Sequence, residues 1–451
     1  MPKKFFLLSL GCSKNTVDSE RVIRLLEEKY EPTNDPKEAD LILVNTCGFI
    51  QPAKEESIEA ILELADLKKK DAKLVAFGCF VKRYMNELKR ELPEVDLFLP
   101  TEPYREICQI FDLQNCNPAE RELLTPKSYA YLKISEGCNR TCAFCAIPNI
   151  RGKFRSKTIE ELVREAKYLI DRYGVKELVI VSQDTSYYGK DIYGKFALPK
   201  LLDELQKLPI EWIRLHYLYP AREVFEIVDY LSREGGKVLP YLDMPIQHIS
   251  DRVLKSMRRG HGREFLEKLL SYAREKLGEN AILRTTVIVG FPTEEKEDFE
   301  ELLKFVETFQ FDYLGVFKYY HEEGTPAYEK YEDNVPEEVK EERKHLLETV
   351  QNYISENRLS RFLETEQKVL IDGYDEELNR IPVGRAWFQA PEVDGQVYIE
   401  VPPEDMEKDL KLKEGDLVKT FLTEQVGVDF KGTFLENLGG NLLPKEEKNN
   451  I

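Results

Sequence analysis

The sequence predicts an α/β protein in three parts: an N-terminal doubly wound parallel-sheet domain, a central open (β/α)6 partial barrel and a small C-terminal all-β barrel. Three observations support this prediction. Short apolar runs alternate with helix-like segments from Phe5 to about Pro100, a longer alternation begins at Tyr129, and short β-type runs separated by Gly, Pro and Asp follow Glu366. Strand–helix alternation is typical of parallel sheets covered by helices, and successive short strands are typical of small barrels.

The first alternation predicts a strand at Phe5–Leu10 and a helix at Val17–Tyr30. Further strands are predicted at Leu41–Val44, Lys73–Phe77 and Val95–Leu99, and helices lie between them at Ser57–Lys69 and Lys82–Leu92. Hydrophobic spacing distinguishes the two kinds of element. This part is assigned to residues 1–103, and the poorly patterned stretch 104–126 is interpreted as a linker.

The central part is assigned to residues 127–363. Its strands are predicted at Tyr129–Ile134, Glu177–Ser182, Trp212–Tyr217, Tyr241–Ile246, Ala281–Val289 and Tyr313–Phe317. Because a closed barrel of this kind needs eight strands, a partial barrel fits better. Residues 364–436 are assigned to the all-β barrel and residues 437–451 to a polar tail.

The composition of the 451-residue chain disfavours two kinds of partner. A formal net charge of −18 is the opposite of the basic surplus that grips a nucleic-acid backbone, although solubility alone explains it equally well. No apolar run approaches the ~18 residues of a membrane span. The apolar start, Phe5–Leu10, is shorter than the ~7–15 residues of a signal-peptide core. We therefore predict a cytoplasmic protein with no membrane partner.

Eight cysteines in such a chain indicate metal or redox chemistry, because the cytosol keeps thiols reduced. Three of them, Cys138, Cys142 and Cys145, form a CxxxCxxC loop directly after the first strand of the central part. Thiolates at this spacing can each bind a different iron of a 4Fe–4S cluster, which leaves the fourth iron open for an exogenous ligand. A structural zinc site, the alternative, needs a fourth ligand that the neighbouring sequence does not offer.

A second set of three cysteines follows three different strands. Cys12, Cys47 and Cys79 each come just beyond a predicted strand of the first part. Parallel strands end at one edge of the sheet and neighbouring strands lie ~5 Å apart, so these thiols can converge on a second cluster. The alternative is three separately buried cysteines. Cys108 and Cys116 lie in the predicted linker with no partner pattern and are interpreted as incidental.

The CxxxCxxC loop, with aromatic Phe144 before its last cysteine, resembles the radical S-adenosylmethionine superfamily. The three-part layout resembles the methylthiotransferase family within it, which has a three-cysteine N-terminal domain, a radical domain and a C-terminal TRAM barrel. The resemblance covers roughly Phe5 to Gly432.

Within that family the sequence is more similar to the branch that modifies an aspartate of a small-subunit ribosomal protein than to the tRNA-modifying branch. The runs that carry this likeness are Leu10–Glu20, Tyr131–Cys138, Ala146–Lys153 and Ala390–Gly395. Charge supports the choice independently, because residues 366–431 hold sixteen acidic against eight basic side chains. An acidic barrel complements a basic ribosomal protein and disfavours tRNA.

The resemblance implies two 4Fe–4S clusters, on Cys138, Cys142 and Cys145 and on Cys12, Cys47 and Cys79. S-adenosylmethionine would bind the open iron of the first cluster and be cleaved to a 5′-deoxyadenosyl radical, which abstracts hydrogen from the aspartate β-carbon. The second cluster would carry or supply sulfur, and a second S-adenosylmethionine the methyl group. A low-potential electron donor such as a flavodoxin or ferredoxin, and a sulfur source, are the other partners implied.

Three residues are weaker candidates for contacts with S-adenosylmethionine. Gln183 and Asp184 follow the second strand of the central part, where barrel enzymes place functional groups, and Glu136 precedes the cysteine loop. Loop capping is the alternative role. Two alternative functions stay open: a tRNA methylthiotransferase, and a two-cluster electron-transfer protein, whose clusters would normally have four cysteines each.

Overall fold

The computed structural model of the chain describes residues 2–117, 119–233, 235–279, 281–375, 381–402 and 411–439. The predicted polar tail, 437–451, lies outside the described residues from residue 440 onward. Within the described ranges, no helix combines the length and the apolar character needed to cross a membrane.

The N-terminal part is a parallel sheet with helices on both faces. Its elements are β1 (Lys3–Ser9), α1 (Ser13–Leu26), β2 (Tyr30–Pro32), β3 (Leu41–Thr46), α2 (Gln51–Leu67), β4 (Lys73–Gly78), α3 (Cys79–Glu91), β5 (Leu97–Phe98) and α4 (Tyr104–Ile110). The strand order β2-β1-β3-β4-β5 confirms the predicted doubly wound sheet. The carboxyl ends of β1, β3 and β4 therefore meet at one edge.

Two details of this part differ from the prediction. The helix predicted to reach Tyr30 ends at Leu26, and Tyr30–Pro32 is an edge strand beside Lys3–Phe5. Proline is compatible with an edge position because it has no amide hydrogen to donate. A strand of three residues is too short to show a period, and it was therefore hidden in the helical pattern.

The segment assigned to a linker contains helix α4. Ile107 of this helix is fully buried in a core with Leu26 and Leu99, so the start of the segment packs with the N-terminal sheet. Cys108 and Cys116 form a disulfide with a Cα–Cα distance of 6.4 Å. Interpreting them as incidental was wrong, because the turn after α4 brings together two residues that have no pattern in the sequence.

The central part is an open sheet with helices on its outer face. Its elements are β6 (Tyr129–Lys133), β7 (Ser135–Glu136), α5 (Ile147–Arg151), β8 (Arg155–Ser156), α6 (Ile159–Tyr173), β9 (Glu177–Val181), α7 (Leu198–Leu205), β10 (Trp212–Leu215), α8 (Glu223–Leu231), β11 (Val238–Asp243), α9 (Asp251–Ser256), α10 (Arg263–Leu277), β12 (Ile282–Val289), α11 (Lys296–Phe309), β13 (Tyr313–Lys318), α12 (Pro326–Lys330) and α13 (Glu337–Leu359). Among the described residues the order β13-β12-β11-β10-β9-β6, all parallel, confirms the (β/α)6 partial barrel.

The two faces of this sheet carry different kinds of buried side chain. Ile213 and Leu215 of β10 pack into the core shared with the outer helices. Trp212 and Arg214 of the same strand point to the inner face, because successive side chains alternate along a strand. The inner face is consequently rich in aromatic and charged side chains, which suits a face that other domains cover.

The C-terminal part is a closed barrel. Its strands are β14 (Glu366–Asp375), β15 (Ile381–Ala386), β16 (Val397–Glu400), β17 (Leu417–Val426) and β18 (Asp429–Asn437), in the order β14-β15-β16-β18-β17. This confirms the predicted all-β barrel. Within the described part of the chain, closure leaves these strands without a free edge.

The small barrel covers the amino ends of the central strands. Trp212, Ile282 and Tyr313 each begin a central strand and share a core with barrel residues. Buried Arg385 extends this contact with polar bonds, donating to Glu177 Oε2 at 2.7 Å and to Asp372 Oδ2 at 2.6 Å. The amino end of the partial barrel is thereby closed, and the carboxyl end remains for a site.

An Arg385→Met variant is expected to lose about 3 kcal/mol of stability, because it leaves Asp372 and part of the Glu177 charge without a buried partner. Methionine keeps most of the side-chain volume, so the loss of stability measures the effect of removing the charge of Arg385. The measurement is urea denaturation followed by tryptophan fluorescence, since Trp212 and Trp387 both lie at this contact.

Lys419→Met is the matched control, because its partner Glu366 is half exposed and such pairs contribute at most ~1 kcal/mol. Equal midpoints for the two variants would contradict the importance of the buried contact.

Candidate metal centres

The CxxxCxxC loop lies at the carboxyl edge of the central sheet, and backbone bonds fix it on both sides. The Cys138 amide donates to Gly152 O at 3.1 Å, and the Ala143 amide donates to Met257 O at 2.8 Å. Gly137 has φ +73°, and a Cβ there would lie 2.3 Å from Lys153 O. Only glycine fits this position, so Gly137 is required for the conformation of the loop.

The three thiols of this loop are free and close enough to affect one another. Cys142 is buried, and Cys138 and Cys145 are partly exposed. Burial raises the pKa of Cys145 to about 12, and the neighbouring sulfurs of Cys142 and Cys138 add to the effect. A thiol with a pKa this high, such as that of Cys145, becomes a thiolate when coordination to a bound cation removes its proton.

The second set of cysteines meets at the edge of the N-terminal sheet. Cys12 precedes the first residue of α1, Cys47 follows β3 and Cys79 is the first residue of α3. A Cβ on Gly11 would lie 3.0 Å from Cys47 Sγ, which shows how closely the β1 and β3 ends approach. Burial raises the pKa of Cys79 to about 12, with Cys12 and Cys47 contributing and Arg151 opposing. The structure brings these three residues together as expected; their role as ligands stays a prediction.

The donor sets fit iron–sulfur clusters better than a simple cation site. Each set offers three soft sulfur donors on rigid backbone, which is the chemistry that such clusters require. Among the described residues, one compact group of potential metal ligands is formed by Asp18, Glu102 and Glu136. The Lys133 ammonium occupies its centre, bonding to Glu102 at 2.9 Å, to Glu136 at 2.8 Å and also to Asp18. That group is therefore an ion-pair network.

The three weaker candidates differ in what their side chains already contact. Both Glu136 oxygens hold partners, Lys133 and Arg151, and these cations outweigh burial and lower its pKa. Asp184 accepts from Arg140 Nε at 2.7 Å and from Ser186 Oγ at 2.6 Å. Gln183 Oε1, in contrast, is buried without a hydrogen-bond partner in the described structure. Of the three, Gln183 has a free acceptor for a ligand.

Two buried arginines contact cysteine sulfurs. Arg259 Nη1 donates to Cys142 Sγ, and Arg151 Nε donates to Cys79 Sγ, both at 3.3 Å. Tyr219 stabilises the guanidinium of Arg259 by a cation–π contact, with the guanidinium carbon 4.2 Å from the centre of the ring. Arg140 makes a similar contact with this ring at 3.9 Å. The prediction from sequence missed both contacts. Arg259 is 117 residues from Cys142, and no spacing rule joins them.

If Cys12, Cys47 and Cys79 bind a cluster as predicted, a Gly11→Ala variant is expected to lose the iron of that cluster. The added Cβ would lie 2.9 Å from Cys47 Cβ and 3.0 Å from its Sγ, which forces this ligand to move. Iron and sulfide analysis after anaerobic reconstitution should then show about half of the parent content.

Gly174→Ala is the matched control, because Gly174 also has a positive φ, +72°, but no atom within 4 Å of the added Cβ. Both variants carry the left-handed backbone cost of ~1–2 kcal/mol. Equal iron in both would contradict the steric argument.

Comparisons with known proteins agree with this geometry. The radical SAM superfamily matches residues 132–306, the uncharacterized protein family UPF0004 matches residues 4–100, and the TRAM domain matches residues 365–435. Ribosomal protein uS12 methylthiotransferase RimO of Aquifex aeolicus strain VF5 is 52% identical over 437 residues, covering 96% of this chain and 98% of that protein. RimO of Sulfurihydrogenibium sp. strain YO3AOP1 is 47% identical, covering 94% and 97%.

Among solved structures, the radical S-adenosylmethionine methyltransferase TsrM from Kitasatospora setae superposes with a TM-score of 0.52 at 13% identity, covering 70% of this chain and 73% of that chain. At this identity the likeness concerns the fold alone.

Proposed function

The chain belongs to the RimO family of radical S-adenosylmethionine methylthiotransferases, and on this basis we propose that it adds a methylthio group to the β-carbon of an aspartate in ribosomal protein uS12. Membership rests on relatives 52% and 47% identical over nearly their full length. The family implies an iron–sulfur cluster and S-adenosylmethionine. The count of two clusters is our proposal, as are the assignments to residues.

One observation supports this function most directly: the two cysteine sets adjoin. Cys79 packs in one buried cluster with Ala146 and Ile150, and Ala146 directly follows Cys145. A reaction that joins carbon activation to sulfur insertion needs both sites within reach of one substrate atom. An electron-transfer protein would not need an open position at either site, and three cysteines in each set leave one.

The clusters and S-adenosylmethionine, when bound, supply the one-electron and methyl-transfer chemistry that no side chain provides. The residues of the chain hold and shield them. Arg259 donates to Cys142 and Arg151 donates to Cys79, so each set has a cation against one sulfur. Gln183 offers a free buried acceptor at the strand end, suited to an ammonium or hydroxyl group of the cofactor.

Buried ion pairs hold the interface between the first two domains. Arg21 of α1 bonds to Glu165 of α6 at 2.8 Å, with both side chains buried. Farther along the contact, Lys54 and Arg83 bond to the buried Glu322 at 3.0 and 2.9 Å. Exclusion of water protects a reactive intermediate, so this packing suits radical chemistry.

The remaining partners belong to the same proposal. We assign residues 364–436 to substrate recognition, with uS12 favoured over tRNA by the acidic balance of this barrel. A low-potential flavodoxin or ferredoxin would supply electrons, and a separate sulfur source would renew the inserted atom. Thiols that must remain reduced suit a cytoplasmic location.

The test is anaerobic reconstitution with iron and sulfide, reduction, and addition of S-adenosylmethionine and purified uS12. Mass spectrometry should find a methylthio group on one aspartate and 5′-deoxyadenosine in the supernatant. Bulk tRNA, run in parallel, should remain unmodified. Modified tRNA with unmodified uS12 would overturn uS12 as the substrate. The absence of both products, from a sample loaded at both sites, would overturn the proposed function.

A further inference from the structure

Arg151 is the side chain that links the two cysteine sets. It ends helix α5, which starts two residues after Cys145 in the central domain. Its guanidinium crosses into the N-terminal domain, where Nε donates to Cys79 Sγ at 3.3 Å and Nη2 donates to Asn15 Oδ1 at 2.5 Å. Five per cent of the residue is exposed, so these bonds are shielded from solvent.

The third nitrogen of Arg151 joins the ion-pair network. Nη1 donates to Glu136 Oε1 at 2.7 Å, within the central domain, and to Asp18 Oδ2 at 3.2 Å, in helix α1. Asn15 extends the same connection, because its amide nitrogen donates to Leu10 O and Thr46 O at the ends of β1 and β3. The guanidinium of Arg151 therefore contacts the sulfur of Cys79, the Asn15 side chain that holds the ends of β1 and β3, and the carboxylates of Asp18 and Glu136.

Charge explains why a cation is needed at this point. The network holds the carboxylates Asp18, Glu102 and Glu136 against Lys133 and Arg151, and bound thiolates add negative charge on the Cys79 side. Without Arg151 the network would keep Lys133 alone against three carboxylates, and Cys79 would lose the cation that contacts its sulfur. An arginine suits this position because its fork makes several fixed bonds at once.

We propose that Arg151 is a positioning residue that fixes the N-terminal cluster site to the radical domain and raises the reduction potential of the cluster held there. The inference rests on the proposed function, because it requires a cluster on Cys12, Cys47 and Cys79. Hydrogen bonds and positive charge at a ligand sulfur stabilise the reduced form of such a cluster.

Arg259 provides an internal comparison. It makes the same 3.3 Å contact, but to Cys142, and both residues belong to the central domain. Removing Arg151 should therefore affect the N-terminal site, whereas removing Arg259 should affect the radical site. A general loss of stability would not produce this reciprocal pattern.

The experiment isolates the N-terminal site by mutation in the full-length chain. A parent with Cys138, Cys142 and Cys145 replaced by alanine carries the N-terminal cluster alone. Arg151→Gln, Arg151→Lys and Arg259→Gln are placed in this parent, and the midpoint potential is measured by a redox titration followed by electron paramagnetic resonance. Arg155→Gln is the control. Arg155 also pairs with a carboxylate of the network, Glu102 at 3.4 Å, but its side chain is 68% exposed, so solvent screens its charge.

Arg151→Gln is expected to lower the midpoint potential by at least about 59 mV, a tenfold change for one electron. Arg151→Lys, which keeps the charge but not the fork, should stay within that limit, and Arg259→Gln and Arg155→Gln should match the parent. A loaded Arg151→Gln sample with the parent potential would overturn the proposal. If Arg151→Gln loads no iron, Arg151→Lys decides. A measurable drop smaller than about 59 mV would support the proposal, because lysine keeps the charge and loses the Nε bond to Cys79, whereas the parent potential or a drop beyond about 59 mV would overturn it.

The titration needs neither uS12 nor turnover, so it is independent of the substrate. A parent that binds no iron on Cys12, Cys47 and Cys79 would overturn the two-cluster part of the proposed function. An unshifted potential in a loaded variant would overturn the role of Arg151 alone.

Discussion

A Cys142→Ala variant is expected to cleave no S-adenosylmethionine and to keep the iron of the N-terminal site. Cys142 is buried in the loop and accepts from Arg259, so its removal takes away one of the three proposed cluster ligands and leaves the arginine facing a void. Total iron should fall to about half, and 5′-deoxyadenosine should fall to the level of a sample without enzyme. Chromatography of the quenched reaction and iron analysis of the same sample measure both.

Cys47→Ala is the control, because it should have the same iron content with the other site missing. Residual cleavage by Cys142→Ala at more than a background rate would contradict the assignment of the radical cluster to this loop.

A Cys47→Ala variant is expected to keep S-adenosylmethionine cleavage and to lose methylthio transfer to uS12. Cys47 follows β3 in the N-terminal domain, and its backbone bonds to Ser57 of helix α2 in the same domain, so the radical site should load normally. Deoxyadenosine should form at a rate similar to the wild type, whereas mass spectrometry should find no methylthio product on uS12.

Loss of both products in Cys47→Ala, with full iron at the radical site, would show that the two sites do not act separately. Retention of methylthio transfer would exclude Cys47 as a ligand. Measuring both products in one reaction distinguishes these results from a poorly reconstituted sample.

The sequence was most informative where chemistry depends on local spacing. Cys138, Cys142 and Cys145 lie within eight residues, so their common loop could be inferred before any fold was known. The set Cys12, Cys47 and Cys79 needed one further rule, that parallel strands end at the same edge, and the observed order of β1, β3 and β4 agrees with it.

The prediction failed where contacts join distant elements without a periodic signal. Helix α4 was hidden because Ile107 is buried against α1 in a stretch that has little amphipathic pattern of its own. The Arg259–Cys142 contact and the position of Lys133 among three carboxylates depend on how loops and domains pack. Such pairings are set by tertiary packing, which neither residue type nor spacing encodes.

The docking of the small barrel has a consequence for how substrate is captured. The barrel covers the amino ends of the central strands, and the cysteines lie beyond the carboxyl ends. A strand of five residues, such as β6, spans about 17 Å, so the proposed recognition by the barrel and the proposed chemistry at the cysteines would occur at two separate points on the enzyme. A substrate that engages both points binds with higher affinity than a ligand of one point, because contact at the first raises the effective concentration of the substrate at the second. Whole uS12 should therefore bind more tightly than a free peptide containing only its modified loop.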